Sequence, residues 1–137
     1  MRCLLAAAIL ATGYCGAAAA QAKIYHTSRT MAGAVEPGRI AVVGPFASID
    51  KYCAGTTTAA IKIVQRPRNG ALRLEVRSGP IEMGSTSEYR KCNDLSVRGS
   101  AVTYTPRQGF RGQDVFRFLL SFGDGERRLV TVPLTIQ

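Results

Sequence analysis

The chain has 137 residues, with 18 Lys and Arg against 9 Asp and Glu, for a formal charge of +9. One histidine and four cysteines leave no material for a multi-histidine metal centre. No apolar run reaches the roughly 20 residues of a membrane-spanning helix. The basic excess favours anionic partners without choosing among nucleic acid, acidic polysaccharide, anionic headgroups and an acidic protein face.

Met1 and Arg2 form a short positive start, Cys3 to Thr12 is apolar, and Ala18-Ala19-Ala20 supplies the small residues of a signal-peptidase site before Gln21. Residues 1–20 therefore read as a secretory signal, and a periplasmic or secreted location follows. Cys15 is preceded by bulky Tyr14, which disfavours a lipoprotein cut. The mature chain keeps about 117 residues and a charge of about +8, enough for one compact domain.

Residues 21–37 show little periodicity and read as an N-terminal arm or edge strand ahead of a domain spanning 38–137. Arg39 to Val43 is a short apolar stretch closed by Gly44-Pro45, and 46–58 reads as loop or broken strand. Ala59, Ile61 and Ile63 alternate with Ala60, Lys62 and Val64, and Leu72, Leu74 and Val76 alternate with Arg73, Glu75 and Arg77. With Pro67-Arg68-Asn69-Gly70 between them, these two strands read as a β-hairpin. Gly84 to Glu88 is polar. A weak strand at Leu95 to Val97 precedes a stronger one at Ala101 to Thr105. Phe116, Phe118, Leu120 and Phe122 share one side of the next strand, and Gly123-Asp124-Gly125 turns the chain. Val130, Val132, Leu134 and Ile136 then alternate to the end, where Pro133 argues for an edge strand or a bulge. No amphipathic helix is legible. Short strands at this turn spacing predict an all-β fold, an antiparallel sandwich of two sheets.

Four segments taken in order carry a family pattern: Pro67 to Leu72, Val102 to Pro106, Gly109 to Phe118, and Asp124-Gly125. Together they resemble the bacterial Ig-like and cadherin-like domains of surface and secreted proteins, over residues 59 to 136. The resemblance implies a single Ig-like β-sandwich with an adhesive or structural role and no catalysis. Phe118 stands where those domains usually have tyrosine. Such domains usually occur in tandem, whereas one copy is present here. The acidic residues are scattered rather than clustered, so the calcium sites of some relatives are not implied.

Cys53 and Cys92 are the cysteines left after export, and a structural disulfide is their favoured role. It would close a loop of about 40 residues, worth about 4 kcal/mol in the chain-entropy model. An intermolecular or exchange-active thiol and metal ligation are the alternatives, and no Cys-x-x-Cys spacing supports redox chemistry. His26 reads as a solvated or edge-strand residue. Asp114 reads as a cap for local backbone N–H groups, Tyr104 as a core residue whose hydroxyl reaches a polar partner, and Glu75 as a surface ion pair.

If β-hairpin pairing holds, Lys62 and Arg66 on one strand, Arg73 and Arg77 on its partner and Arg68 at the turn form a basic patch on one sheet face. The leading expectation is an exported, non-catalytic module that binds another macromolecule, a protein or an anionic envelope component, through that face. Specific nucleic-acid recognition is not expected, because no ordered aromatic and basic platform is legible. A structural accessory subunit that pairs a strand edge with a larger assembly is the second reading. An enzyme with a loop-assembled site is the third. No catalytic residue, metal ligand or cofactor is assigned.

Overall fold

The computed structural model describes the backbone of residues 24–28 and residues 35–137 in full. The signal-peptide reading of 1–20, and with it Cys15, lies outside the described residues. Among the described residues, eight strands form two four-stranded sheets. The strands are β1 (Ile24–Ser28), β2 (Ala41–Ile49), β3 (Gly55–Thr58), β4 (Ala60–Gln65), β5 (Gly70–Pro80), β6 (Ser96–Pro106), β7 (Gly112–Ser121) and β8 (Arg127–Ile136). One sheet has the order β1-β8-β7-β4 and the other β3-β2-β6-β5. All pairings are antiparallel except that of β1 with β8.

The intersheet core follows the alternation of β7 and β8. Phe116, Phe118 and Leu120 point inward beside Val130, Val132, Leu134 and Ile136, all buried. Tyr104 and Val102 meet them from β6, with Tyr104 stacked on Phe116 at 6.2 Å and Phe46 tilted against Phe118 at 5.7 Å between ring centroids. Burial of these aromatic and aliphatic side chains against one another holds the two layers together.

β4 and β5 do not form the expected hairpin. They lie in different sheets, β4 paired with β7 and β5 with β6. Alternating apolar residues flanking a turn look the same in a hairpin and in an arch between layers, so periodicity could not separate them. Backbone geometry does: a two-residue Asn-Gly hairpin needs positive φ at both positions, and neither Asn69 nor Gly70 has it. Gly70 instead makes room for Tyr104, since a Cβ there would collide with the phenol ring.

β6 is one unbroken strand rather than two, paired with β5 from Ser96 to Pro106 without a register shift. It runs through Gly99, where a Cβ would sit 2.7 Å from the Phe46 carbonyl oxygen. The β2 backbone presses on this point because β2 shifts register between Val43 and Phe46, at the cis Gly44-Pro45 peptide. The apolar stretch ending at Val43 therefore continues as strand to Ile49 instead of stopping in a turn.

A second, smaller core covers the outer side of the β3-β2-β6-β5 sheet. Val97 shares its face with Thr103, opposite to Tyr104, and packs with Ile81 and Cys92; Ala47, Ile49, Met83 and Tyr89 complete the cluster. A 3-10 helix at Glu88–Cys92, capped by the Ser87 hydroxyl, brings Cys92 there. Cys92 bonds Cys53, in the turn after β2 that the Asp50 carboxylate organises by accepting the Tyr52 and Ala54 N–H groups.

β8 is a central strand over residues 127–131, flanked by β1 and β7, which corrects the edge expectation drawn from Pro133. Pro133 lies beyond the β1 pairing and before the Val35 to Ile136 bridge, so its missing N–H costs no described ladder bond.

Candidate functional site

Among the described residues, Asp114 accepts more hydrogen bonds through its carboxylate than any other side chain does. It opens β7 on the core side, 7 % exposed. One carboxylate oxygen accepts the Arg68 and Val115 N–H groups at 2.9 Å each, and the other accepts Asn69 N–H at 2.8 Å and the Tyr104 hydroxyl at 3.0 Å. The carboxylate thus ties the β4–β5 crossover, β6 and β7 together, a longer reach than local capping. Burial pushes the carboxyl pKa up, but the backbone and tyrosine hydrogen bonds outweigh it and hold the group below the usual aspartate range. Burial, with Asp114 accepting its proton and repelling its anion, pushes the Tyr104 phenol up. A cleft of about 430 Å³ borders Asp114. Both of its oxygens are already spent on structural donors, so the geometry describes a clamp rather than an acid–base pair.

The five basic residues singled out from the sequence do not converge on one sheet face. Lys62 alternates with inward Ile61 and Ile63 on β4, and it projects from the outer face of the β1-β8-β7-β4 sheet. Arg73 and Arg77 alternate with Leu72 on β5 and project from the outer face of the opposite sheet. Arg66 and Arg68 are exposed in the crossover between the layers. The physical reason is the arch: cross-strand proximity required a β4–β5 ladder that is not made. Arg73 and Arg77 also share their face with Glu75, which pairs with Arg77 at 3.4 Å.

A different set of cations lies together. On the outer face of the β1-β8-β7-β4 sheet, Lys62 is opposite Leu119, Arg117 is two residues along β7 from Leu119, and Arg127 is opposite Ser121. Lys62 and Arg117 are diagonal neighbours, roughly 7–8 Å apart, while Arg127 lies four residue positions along the ladder from Arg117, roughly 13 Å, so the three charges flank half-buried Leu119 and Leu129. All three cations are exposed, none makes an ion pair among the described residues, and no Asp or Glu occupies an outward position on β4, β7 or β8. Arg117 was legible as an outward residue from its alternation with Phe116 and Phe118, whereas Arg127 precedes the alternation read from Val130 to Ile136 and was not singled out. What hid the cluster was strand order, which puts β4 beside β7 rather than β5.

Between the sheets, a cleft of about 670 Å³ is lined by Phe46, Ile81, Met83, Phe122 and Arg128 among others. Arg128 is held over the Phe122 ring at 5.3 Å and paired to Glu126 at 2.7 Å. No group of three or more His, Cys, Asp or Glu able to hold a metal occurs among the described residues, and no helix among them is long and apolar enough to cross a membrane. Comparison of the chain with protein-family models, with curated proteins and with solved structures found no match in any of the three.

Proposed function

We propose that the protein is an exported, non-catalytic Ig-like sandwich that binds an anionic envelope component through the outer face of β4, β7 and β8. The observation that carries this reading is the carboxylate-free group of Lys62, Arg117 and Arg127 around an apolar centre. Lys62 and Arg117, diagonal neighbours with no ion-pair partner among the described residues, repel one another, and an anionic ligand relieves that repulsion. Half-buried Leu119 and Leu129 add an apolar floor on which a headgroup or sugar ring can rest. The Cys53–Cys92 disulfide supports export, since such bonds persist in oxidising compartments. The arch between layers is the kind of connection Ig-like sandwiches use. Here the disulfide joins a turn to a surface helix instead of bridging the two sheets.

Binding is tested with vesicles of anionic and of zwitterionic headgroups, and with an acidic polysaccharide, at two salt concentrations. The wild type binds at least one anionic probe in a salt-sensitive way, and the triple variant Lys62→Gln, Arg117→Gln, Arg127→Gln loses it. The Arg73→Gln, Arg77→Gln variant keeps it. Equal binding by the triple variant and the wild type would reject this face.

A further inference from the structure

Each sheet has two edges, and three of the four are blunted. β1 has five residues, β3 has four and a register shift where it meets β2, and β4 has a shift between Ile63 and Gln65. β5 differs: it is 11 residues long, regular throughout its pairing with β6, and no described strand pairs with its other side. Its only proline is the last residue. A long, regular edge of this kind is a template for another strand unless something covers it. The residues that share a face with core-packed Leu72 are also uncovered, with Leu74 49 % and Val76 47 % exposed. Main-chain groups and apolar side chains are therefore free together along one edge.

The charge pattern selects the occupant. On the outer side of β5 the order is Arg73, Glu75, Arg77, alternating with Leu72, Leu74 and Val76. Laid antiparallel against itself with Leu74 opposite Leu74, the strand sets Arg73 opposite Glu75 and Glu75 opposite Arg73, while Leu72 meets Val76 on the other side. Both Arg73–Glu75 pairs and the Leu72, Leu74 and Val76 contacts are then matched, Arg77 falls opposite small Ala71, and every side chain keeps its face. Shifting the centre to Glu75 opposes Glu75 to itself, and shifting it to Val76 keeps two Glu75–Arg77 pairs but sets Leu74 against Ser78 and Leu72 against Pro80, so of these three registers only the Leu74-centred one matches both the charged and the apolar positions.

We propose that β5 pairs antiparallel with β5 of a second copy of this chain in the Leu74-centred register, joining two β3-β2-β6-β5 sheets into one. The contact is isologous, with its two-fold axis perpendicular to the shared sheet. It therefore closes as a dimer and leaves no further β5 edge for growth. Because Leu74 faces the same side in both copies, the two β4-β7-β8 outer faces point the same way. The dimer stands on the edge geometry alone and does not depend on what those faces bind.

Sedimentation velocity on the oxidised full-length mature protein, over a dilution series, reads the association directly. The wild type is expected to show a reversible monomer–dimer equilibrium, and Leu74→Lys, at a half-exposed position, to be monomeric with its disulfide and circular dichroism unchanged. Arg73→Glu opposes Glu to Glu twice and is expected to weaken the dimer by roughly tenfold or more. Adding Glu75→Arg restores both pairs with reversed polarity and should recover most of the loss. A wild type monomeric at every concentration would overturn the proposal. So would a dimer indifferent to Leu74→Lys, or one that the double charge swap fails to recover.

Discussion

Replacing Asp114 by asparagine probes the clamp between the layers with almost no change in shape. The carboxylate satisfies four donors, three of them backbone or side-chain groups of the crossover and β6. An amide keeps one acceptor oxygen and turns an NH₂ group toward the other pair of donors. At least one backbone N–H of the 68–69 turn or β7 then loses its partner, and the remaining bonds lose their charge assistance. An unsatisfied buried donor costs roughly 1–3 kcal/mol, so the variant should lose about 2–4 kcal/mol, a large share of the ~5–15 kcal/mol that holds a domain folded. Urea unfolding followed by tyrosine fluorescence, in a chain without tryptophan, measures it. Tyr104→Phe alone should cost about 1.5–3 kcal/mol, and markedly less when Asp114 is already asparagine, because the two share one bond. The pH dependence has a definite sign. Since the folded carboxyl is held low, its contribution is complete above the ordinary aspartate value near pH ~4 and is lost as pH falls through the folded value. The wild type and Asp114→Asn should therefore converge in acid. A loss below about 1 kcal/mol, or full additivity with Tyr104→Phe, would refute this account of the clamp.

Three further outcomes follow from the same geometry. Cys53→Ser with Cys92→Ser, which opens a link between residues 39 apart in sequence, should lower stability by about 4 kcal/mol in denaturant titration. Gly99→Ala should cost about 1–3 kcal/mol because its methyl meets the β2 backbone, whereas Gly84→Ala, with nothing within 4 Å, should be near neutral. Raised by burial and by Asp114, the Tyr104 phenol keeps its stabilising effect below the unfolded tyrosine value near pH ~10 and loses it as pH climbs toward the folded one. Ultraviolet titration should then find one tyrosine that ionises only with unfolding, absent in Tyr104→Phe.

The strands of β7 and β8 and their core residues were legible because period-two alternation is strong there and the Gly123-Asp124-Gly125 turn is short. That turn closes with Phe122 N–H on the Glu126 carbonyl at 2.9 Å and Glu126 N–H on the Asp124 carboxylate. The pairing of β4 and β5 was not legible, since the contacts that hold the crossover between the sheets are long-range, Asp114 lying 46 residues from Arg68. Likewise, the break read at Gly44-Pro45 and the gap read at Gly99 are two sides of a single close approach, visible only once β2 and β6 are neighbours. The same failure scattered the basic residues. Lys62, Arg73, Arg77 and Arg117 were read as outward from alternation within their strands, but the strand order that decides which cations meet is a long-range property. Cys53 and Cys92 were paired by elimination, whereas the small core around Cys92 had no periodic signature because it is assembled from separate segments, the end of β2, the residues just after β5, a single 3-10 turn and Val97 of β6.

The claim that the β4-β7-β8 face is the binding surface is tested most directly by amide chemical-shift mapping of the folded protein titrated with a soluble anionic headgroup analogue. Saturable shifts centred on Lys62, Arg117, Leu119 and Arg127, with Arg73 and Arg77 unmoved, are the predicted result. Shifts centred on Arg73 and Arg77, or none at any concentration of the probe, would contradict it.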